Sequence, residues 1–361
     1  MKAHCKIEDV DVIAPNFKQR LSGVTSTIVQ LVPLQAKMGV KIATLGPGLP
    51  SHLPFIRFRD LWRLWKRPNG KPVRIWHARR NVEMVGGVLL RDVLRMPLKL
   101  VFTSDAQRRH KAFTRFLIRQ MNVIIACSTG GASFLEVPYT MIMHGVDTNV
   151  FSPHLRGKVF AKAAVNLNSL QKYIGCFGRV RHQKGTDLFV DAMVKLLPRH
   201  PDWTAIICGR VTAEQAQFGK ELEGRVAAAG LSDRIVFLGE VSDILPYFQA
   251  VDLYVGPSRN EGFGLTPLEA MSCGVPVVTS DAGAYADMVV QGVNGAICSA
   301  GDGPALIAAI SDMLEKSGEL EDMGKDAIEF VHKHFDLEDE AAAINAVYAS
   351  LLSRETTRYN F

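Results

Sequence analysis

The chain has 361 residues, 47% of them hydrophobic and 22% charged, which fits a globular protein too large for one ordinary core and suggests two domains. No run of about 18 apolar residues occurs, which excludes a membrane-spanning helix, and residues 1–9 turn acidic where an export signal needs an apolar stretch. The net charge of +6 conceals an asymmetry: residues 1–156 hold 24 Lys+Arg against 9 Asp+Glu (+15), and residues 157–361 hold 18 against 27 (−9).

A basic half joined to an acidic half implies two domains with different partners. The basic half is either a solvated face or one that meets a polyanion or an anionic membrane surface. Nucleic acid is not expected, because the second half is acidic and no recognised nucleic-acid motif occurs. The six cysteines are scattered, several inside apolar runs and none in a Cys-x-x-Cys pair. They read as reduced core residues of a cytosolic protein, with neither a disulfide framework nor a zinc site.

In chain order, β-rich apolar runs at 10–14, 40–45, 73–76, 98–102, 123–126 and 140–143 alternate with helical patterns near 24–38, 82–95, 111–121 and 129–135. The segment 154–170 contains Gly157 and small polar residues without clear periodicity, and reads as a linker. The alternation then restarts. Strands are expected at 173–177, 205–208, 235–238, 253–255 and 275–279, and helices near 186–197, 214–229, 244–250 and 266–272. Helices at 302–316, 319–333 and 337–352 complete the chain. Two such series predict two doubly wound α/β domains, 1–153 and 171–335, with ligands at the carboxyl ends of parallel strands. The C-terminal helical segment, 336–361, has the option of returning to the first domain.

Within the first half, Phe58, Leu61, Trp62 and Trp65 fall at i, i+3, i+4 and i+7, an α-helical apolar stripe, with Arg59, Arg63, Lys66 and Arg67 on other faces. This segment is either a surface helix packed by its tryptophans or an interfacial helix with aromatics in lipid headgroups and cations on phosphate. Asp9-Val10-Asp11 spells an Asp-x-Asp, but it precedes the first strand and reads as solvated.

Two stretches carry chemistry. In the run 173–185, a strand ends in Gly178 and is followed by a basic loop with Arg179 and Lys184, placing positive charge at the carboxyl end of the second domain's first strand. It is not a Walker loop, since Gly-x-x-x-x-Gly-Lys-Ser/Thr is absent. In the run 260–278, Thr266 reads as a helix N-cap with Pro267 at N1 and Glu269 at N3, so a capping-box role is open to Glu269. The amides of Gly264 and Leu265 form an anion site before that helix. Glu261 lies outside the cap. A carboxylate beside a phosphate site makes sense when it accepts hydrogen bonds from neutral hydroxyls, as on a sugar.

The stretches "GRVRHQKGTDLFVDAM" (178–193) and "EGFGLTPLEAMSCGVPVV" (261–278) resemble the retaining, GT-B-fold glycosyltransferases of family 4, whose two Rossmann-like domains face a central cleft. Also similar are "HGVDTNVFSP" (144–153) and "LSGVTS" (21–26). "IRFRDLWRLWKRP", "WHARRNVEM" and "CFGRVRHQKGTDLFVDAM" further resemble the lipopolysaccharide-core mannosyltransferases of certain Gram-negative bacteria. That resemblance implies a retaining, metal-independent transfer of mannose from GDP-mannose to the inner-core Kdo of a lipid A-linked acceptor. The implied location is the cytoplasmic face of the inner membrane, as a peripheral protein.

It also implies roles. Arg179 and Lys184 would hold the leaving diphosphate, Glu261 the transferred sugar and Glu269 the ribose. The amides of Phe263, Gly264 and Leu265 would meet donor oxygens, and Gly23 would let the first-domain loop approach the diphosphate. His77 would contact the transferred sugar. Arg79 and Arg80, with Arg108 and Arg109 behind them, would meet an acidic acceptor. Trp62, Arg63, Trp65, Lys66 and Arg67 would touch the membrane. No cofactor and no metal are expected. A family 4 enzyme with another donor or acceptor and a sugar-nucleotide epimerase of the same fold remain alternatives, as does a non-catalytic sugar-binding protein. The missing export signal and the paired cations and carboxylates weigh against the last.

Overall fold

A computed structural model of the chain describes residues 4–19 and 23–353. The chain divides into two compact units, one formed by residues 1–143 with 337–361 and the other by 144–336.

The first unit alternates β1 (Val12–Pro15), α1 (Gly23–Lys37), β2 (Ile42–Leu45), a 3-10 helix (Phe58–Trp65), β3 (Arg74–Ala78), α2 (Asn81–Val88), β4 (Leu98–Ser104), α3 (Ala112–Ile118), β5 (Val123–Ala126), α4 (Thr129–Ala132) and β6 (Thr140–Met141). A π-helical turn, Leu89–Val93, prolongs α2. The strands form one parallel sheet in the order β2-β1-β3-β4-β5-β6. Strands β1 to β5 are buried on both faces and read as largely apolar runs, which is why the sequence pattern exposes them, whereas the edge strand β6 is exposed.

The second unit contains α5 (Lys158–Ala164), β7 (Lys172–Phe177), α6 (Thr186–Leu196), β8 (Trp203–Cys208), α7 (Ala216–Ala228), β9 (Ile235–Gly239), α8 (Leu245–Ala250), β10 (Leu253–Gly256), α9 (Thr266–Ser272), β11 (Val277–Ser280), α10 (Tyr285–Met288), β12 (Gly295–Cys298), α11 (Gly303–Glu315) and α12 (Leu320–His334). Its parallel sheet runs β12-β11-β10-β7-β8-β9. The strand order therefore reverses between β7 and β10, which makes their carboxyl ends the topological switch point where such sheets bind ligands.

The last helix, α13 (Leu337–Leu352), belongs to the first unit. Leu337, Ile344, Tyr348 and Leu352 enter a core with Ile28, Leu31 and Val32 of α1 and Ile75 of β3. Each such burial contributes about 1.5–3 kcal/mol.

The segment 154–170, read as a linker, instead carries α5 within the second unit, with Lys162 paired to Asp252 at 2.9 Å. Asp11 also differs from expectation. It is buried rather than solvated, and burial raises its carboxyl despite Lys41, Lys71 and Arg74 nearby. Buried Arg74 donates to the carbonyls of Val10 (2.7 Å), Ile7 (2.8 Å) and Lys66 (3.2 Å), tying the turn before β1 to β3.

The stretch 58–65 is a 3-10 helix, not an α-helix. At three residues per turn the inward positions become Leu61 and Leu64. Leu64 is buried, whereas Trp62 remains 74% exposed and Trp65 43%. The tryptophans therefore do not pack the element down.

Candidate active site

The second unit brings its two chemical loops together at the switch point. Leaving β7, the chain passes Gly178, Arg179 and Arg181 and makes a short 3-10 turn, His182–Lys184, before α6. Gly185 joins turn to helix at φ +70°, and a Cβ there would lie 1.9 Å from the Pro257 carbonyl oxygen. The residue must be glycine for the basic loop to lie against the loop that follows β10.

Across that contact the Lys184 ammonium pairs with Glu261 Oε2, which also accepts from Ser258 Oγ at 3.3 Å. Glu261 is thus held by a cation and a hydroxyl, with both partners largely buried. Arg181 joins them: burial lowers its guanidinium, as does Arg179 beside it, against the pull of Glu261. Its Nε is buried and has no hydrogen-bond partner among the described residues. Arg179, Lys184, Tyr254, Ser258 and Tyr285 line one cavity at this spot.

A clamp absent from the sequence reading holds the two loops in register. Arg259 makes a two-pronged bond to Asp187, at 2.7 Å on each carboxylate oxygen. Its Nη1 also donates to the His182 carbonyl at 2.8 Å, and its backbone N–H donates to the Gln183 carbonyl at 2.9 Å. Gln183 answers with a bond to the Asn260 carbonyl at 3.0 Å. Burial would raise the Asp187 carboxyl, but the Arg259 bonds hold it below the usual range. Lysine cannot reproduce that fork. Arg259→Lys is therefore expected to raise the KM for a ligand of these loops about tenfold while the melting temperature stays near wild type, since loop placement is lost and the core is not. Steady-state kinetics alongside a thermal melt checks this.

The glutamate loop departs from the expected capping box. Leu265, not Thr266, is the N-cap of α9, and no side chain caps the helix. Thr266 is already helical. Glu269 is left without the capping role. Burial pushes its carboxyl up to about 7, opposed by the Lys184 charge. Gly264 takes φ +87°, where a Cβ would come within 2.5 Å of the Tyr285 ring. Phe263 is buried edge-on against His144, with ring centroids 5.0 Å apart. The amides of Phe263, Gly264 and Leu265 make no hydrogen bond to another backbone group among the described residues.

In the first unit the expected residues separate. His77 is fully buried, with Nε2 2.7 Å from Thr103 Oγ1 and Nδ1 2.6 Å from the Tyr348 hydroxyl. A ring with no exposed surface and both nitrogens engaged offers nothing to a sugar in this conformation. It links β3, β4 and α13. Arg80 is likewise spent on the scaffold, donating to Asn16 Oδ1 (2.7 Å), Glu83 (2.9 Å) and Thr25 Oγ1 (2.9 Å).

Arg79 is the better anion candidate, because its buried Nη1 has no hydrogen-bond partner among the described residues. Arg108 and Arg109 are exposed, and Arg109 pairs with Glu136 at 2.9 Å. Gly23 opens α1, and a Cβ there would meet no atom of the chain, so packing does not require glycine. Leu21 and Ser22 of the same motif lie outside the described residues. Arg63 pairs with Glu8, while Lys66 and Arg67 are exposed.

A sequence model described as "Glycosyl transferases group 1" matches residues 158–330. Lipopolysaccharide core biosynthesis mannosyltransferase LpsB of Rhizobium meliloti (strain 1021) is 55% identical over 348 residues, covering 96% of this chain and 99% of that protein. LpcC of Rhizobium leguminosarum bv. viciae, which bears the same description, is 57% identical over 346 residues, covering 96% and 98%. The chain belongs to the group 1 glycosyltransferases. Its fold agrees. The crystal structure of Anabaena HepE in complex with UDP and glucose superposes with a TM-score of 0.77 at 20% identity, covering 94% of this glycosyltransferase and 99% of HepE. Among the described residues no helix of the enzyme is long and apolar enough to cross a membrane.

Proposed function

We propose that this glycosyltransferase moves mannose, with retention, from GDP-mannose to the inner-core Kdo of a lipid A-linked lipopolysaccharide acceptor. The observation that carries the reading is the Lys184–Glu261 pair at the β7/β10 switch point, flanked by Arg179 and Arg181. Mannose and the lipopolysaccharide core come from the two rhizobial relatives.

In this reading the diphosphate takes Lys184 and Arg179, and the freed Glu261 carboxylate accepts hydroxyls of the transferred sugar. Glu269 accepts those of the ribose. The amides of Phe263, Gly264 and Leu265 face donor oxygens. The bond from the anomeric carbon to the phosphate oxygen breaks, and the acceptor oxygen bonds to that carbon from the leaving-group face. The acceptor's proton passes to the departing phosphate. Charge developing on GDP is met by the chain's own cations, so the step needs no metal. Arg79 would bind the acidic acceptor, with Arg108 and Arg109 in support.

Incubation with GDP-mannose and a Kdo-bearing lipid acceptor tests this. A glycolipid heavier by one hexose, with the donor's anomeric configuration, is the expected product. An isomeric nucleotide sugar instead would reveal an epimerase.

Glu269 supplies a pH test. Its raised carboxyl ionises only above about 7, and accepting two hydroxyls needs the anion. The donor KM should therefore fall as pH rises through about 7, and Glu269→Gln should flatten that profile. The stability contribution runs the other way. It is present below the ordinary value of 4.5 and lost as pH rises through about 7. A profile unchanged by the substitution would remove Glu269 from donor binding.

A further inference from the structure

The first unit carries an apolar ridge that the chemistry above does not use. The continuous helix formed by α2 and its π turn spans Asn81–Val93. Val82, Val85, Leu89 and Val93 follow one another at helical spacing and are all exposed, Val93 by 66%. The ridge is about 16 Å long at the rise of a helix.

Both of its ends continue into further exposed apolar groups. At the start, Asn81 Nδ2 bonds Thr114 Oγ1 at 2.7 Å, bringing up α3 with exposed Phe113 and Phe116. Beyond the finish, the Leu94 carbonyl accepts from Trp65 Nε1 at 2.7 Å, which places Trp65 and its edge-on neighbour Trp62 there. Scattered exposed apolar residues are ordinary, but a run across three adjoining elements marks a contact surface.

The surrounding charge is mostly positive. Exposed Arg59, Lys66 and Arg67 flank the tryptophans, and Arg95 follows the helix at φ +53°. Beside the phenylalanines, Arg109, Arg115 and Arg119 share the single carboxylate of Glu136. Among the described residues of the three elements each carboxylate has a partner: Asp60 the hydrogen-bonded His4, Glu83 the Arg80 guanidinium and Asp92 the Arg91 guanidinium.

We propose that this ridge is the face by which the protein lies on an anionic lipid bilayer, with aliphatic and aromatic side chains entering the headgroup boundary and the arginines on lipid phosphate. Apolar side chains rimmed by an excess of cations match that surface and no neutral or basic one. The proposal deepens the acceptor reading, on which it rests for its purpose, since a lipid-linked acceptor sits in such a surface.

Flotation with vesicles tests it. The full chain should float with equal parts phosphatidylcholine and phosphatidylglycerol at low salt and detach at high salt. It should stay behind with phosphatidylcholine alone. Val85→Glu combined with Val93→Glu should weaken partition about tenfold or more. The milder Val85→Ser with Val93→Ser guards against misfolding and should show a smaller loss in the same direction. Equal flotation on neutral vesicles, no flotation, or undiminished flotation of both double variants would overturn the proposal. So would a wild-type dimer in sedimentation that the variants dissociate, because the ridge would then join two copies.

Transfer to detergent-dispersed acceptor separates the two readings. Normal transfer by a variant that no longer floats supports this surface. A floating wild type that makes no glycolipid from GDP-mannose overturns the donor and acceptor reading alone.

Discussion

Lys184→Ala is expected to lower kcat/KM for the nucleotide-sugar donor by about 100-fold or more. Two effects add. In the proposed mechanism the variant loses one of the cations that meet the developing diphosphate charge. It also leaves the Glu261 carboxylate, 15% exposed and paired to Lys184, without its counter-charge. An uncompensated anion there repels the donor phosphates as well. The second effect can be isolated. Adding Glu261→Gln to Lys184→Ala should recover part of the donor KM and none of kcat, so the two substitutions will not be additive. Steady-state kinetics on the single and double variants measures both. An unchanged rate in Lys184→Ala would remove the residue from the mechanism.

Gly185→Ala is expected to damage fold and site together. The left-handed backbone at φ +70° costs alanine about 1–2 kcal/mol by itself. The added methyl would lie 1.9 Å from the Pro257 carbonyl oxygen and 2.7 Å from its carbon, so the basic loop and the post-β10 loop must separate. We expect a total loss of about 2–4 kcal/mol, and a tenfold to hundredfold loss of kcat/KM, roughly, in the protein that folds. Gly230 provides the control. It shares the left-handed backbone, φ +68°, but a Cβ there meets nothing within 4 Å. Gly230→Ala should pay only the backbone term and keep its activity. Chemical denaturation and kinetics on the two variants distinguish crowding at the site from generic glycine strain.

Much of this was legible in the sequence, for identifiable reasons. Parallel strands buried on both faces are continuous apolar runs, so nearly every strand was placed within a few residues. β12 was missed because Gly295–Cys298 is short and begins in a glycine-bearing turn. α5 was missed because Lys158–Ala164 is a brief helix with little apolar periodicity, after Gly157. The stripe at 58–65 was assigned α-helical period; the shorter 3-10 period turns its tryptophans outward.

The site was half legible. Glycines and cations after a strand announce a basic loop at a strand's carboxyl end by local spacing alone. The Lys184–Glu261 pair spans 77 positions and the Arg259–Asp187 fork 72, and neither pairing leaves a local trace. Burial is also a tertiary property. His77 sits at the carboxyl end of its strand, as expected, but its ring is enclosed by Thr103 and by Tyr348 of the distant last helix. The exposed ridge of α2 was hidden for the opposite reason. Met84, Gly87 and Leu90 face inward between the exposed positions, so apolar residues fall on both faces of the helix and no single outward stripe stands out.

The central claim is that the switch point between β7 and β10 seats a sugar diphosphate on cations and its hydroxylated rings on carboxylates. A crystal structure with GDP-mannose or its non-transferable analogue tests it most directly. The account predicts diphosphate oxygens on Lys184 and Arg179, with Glu261 turned from Lys184 to the hexose hydroxyls and Glu269 on the ribose. A nucleotide bound elsewhere, with the Lys184–Glu261 pair still closed, would contradict it.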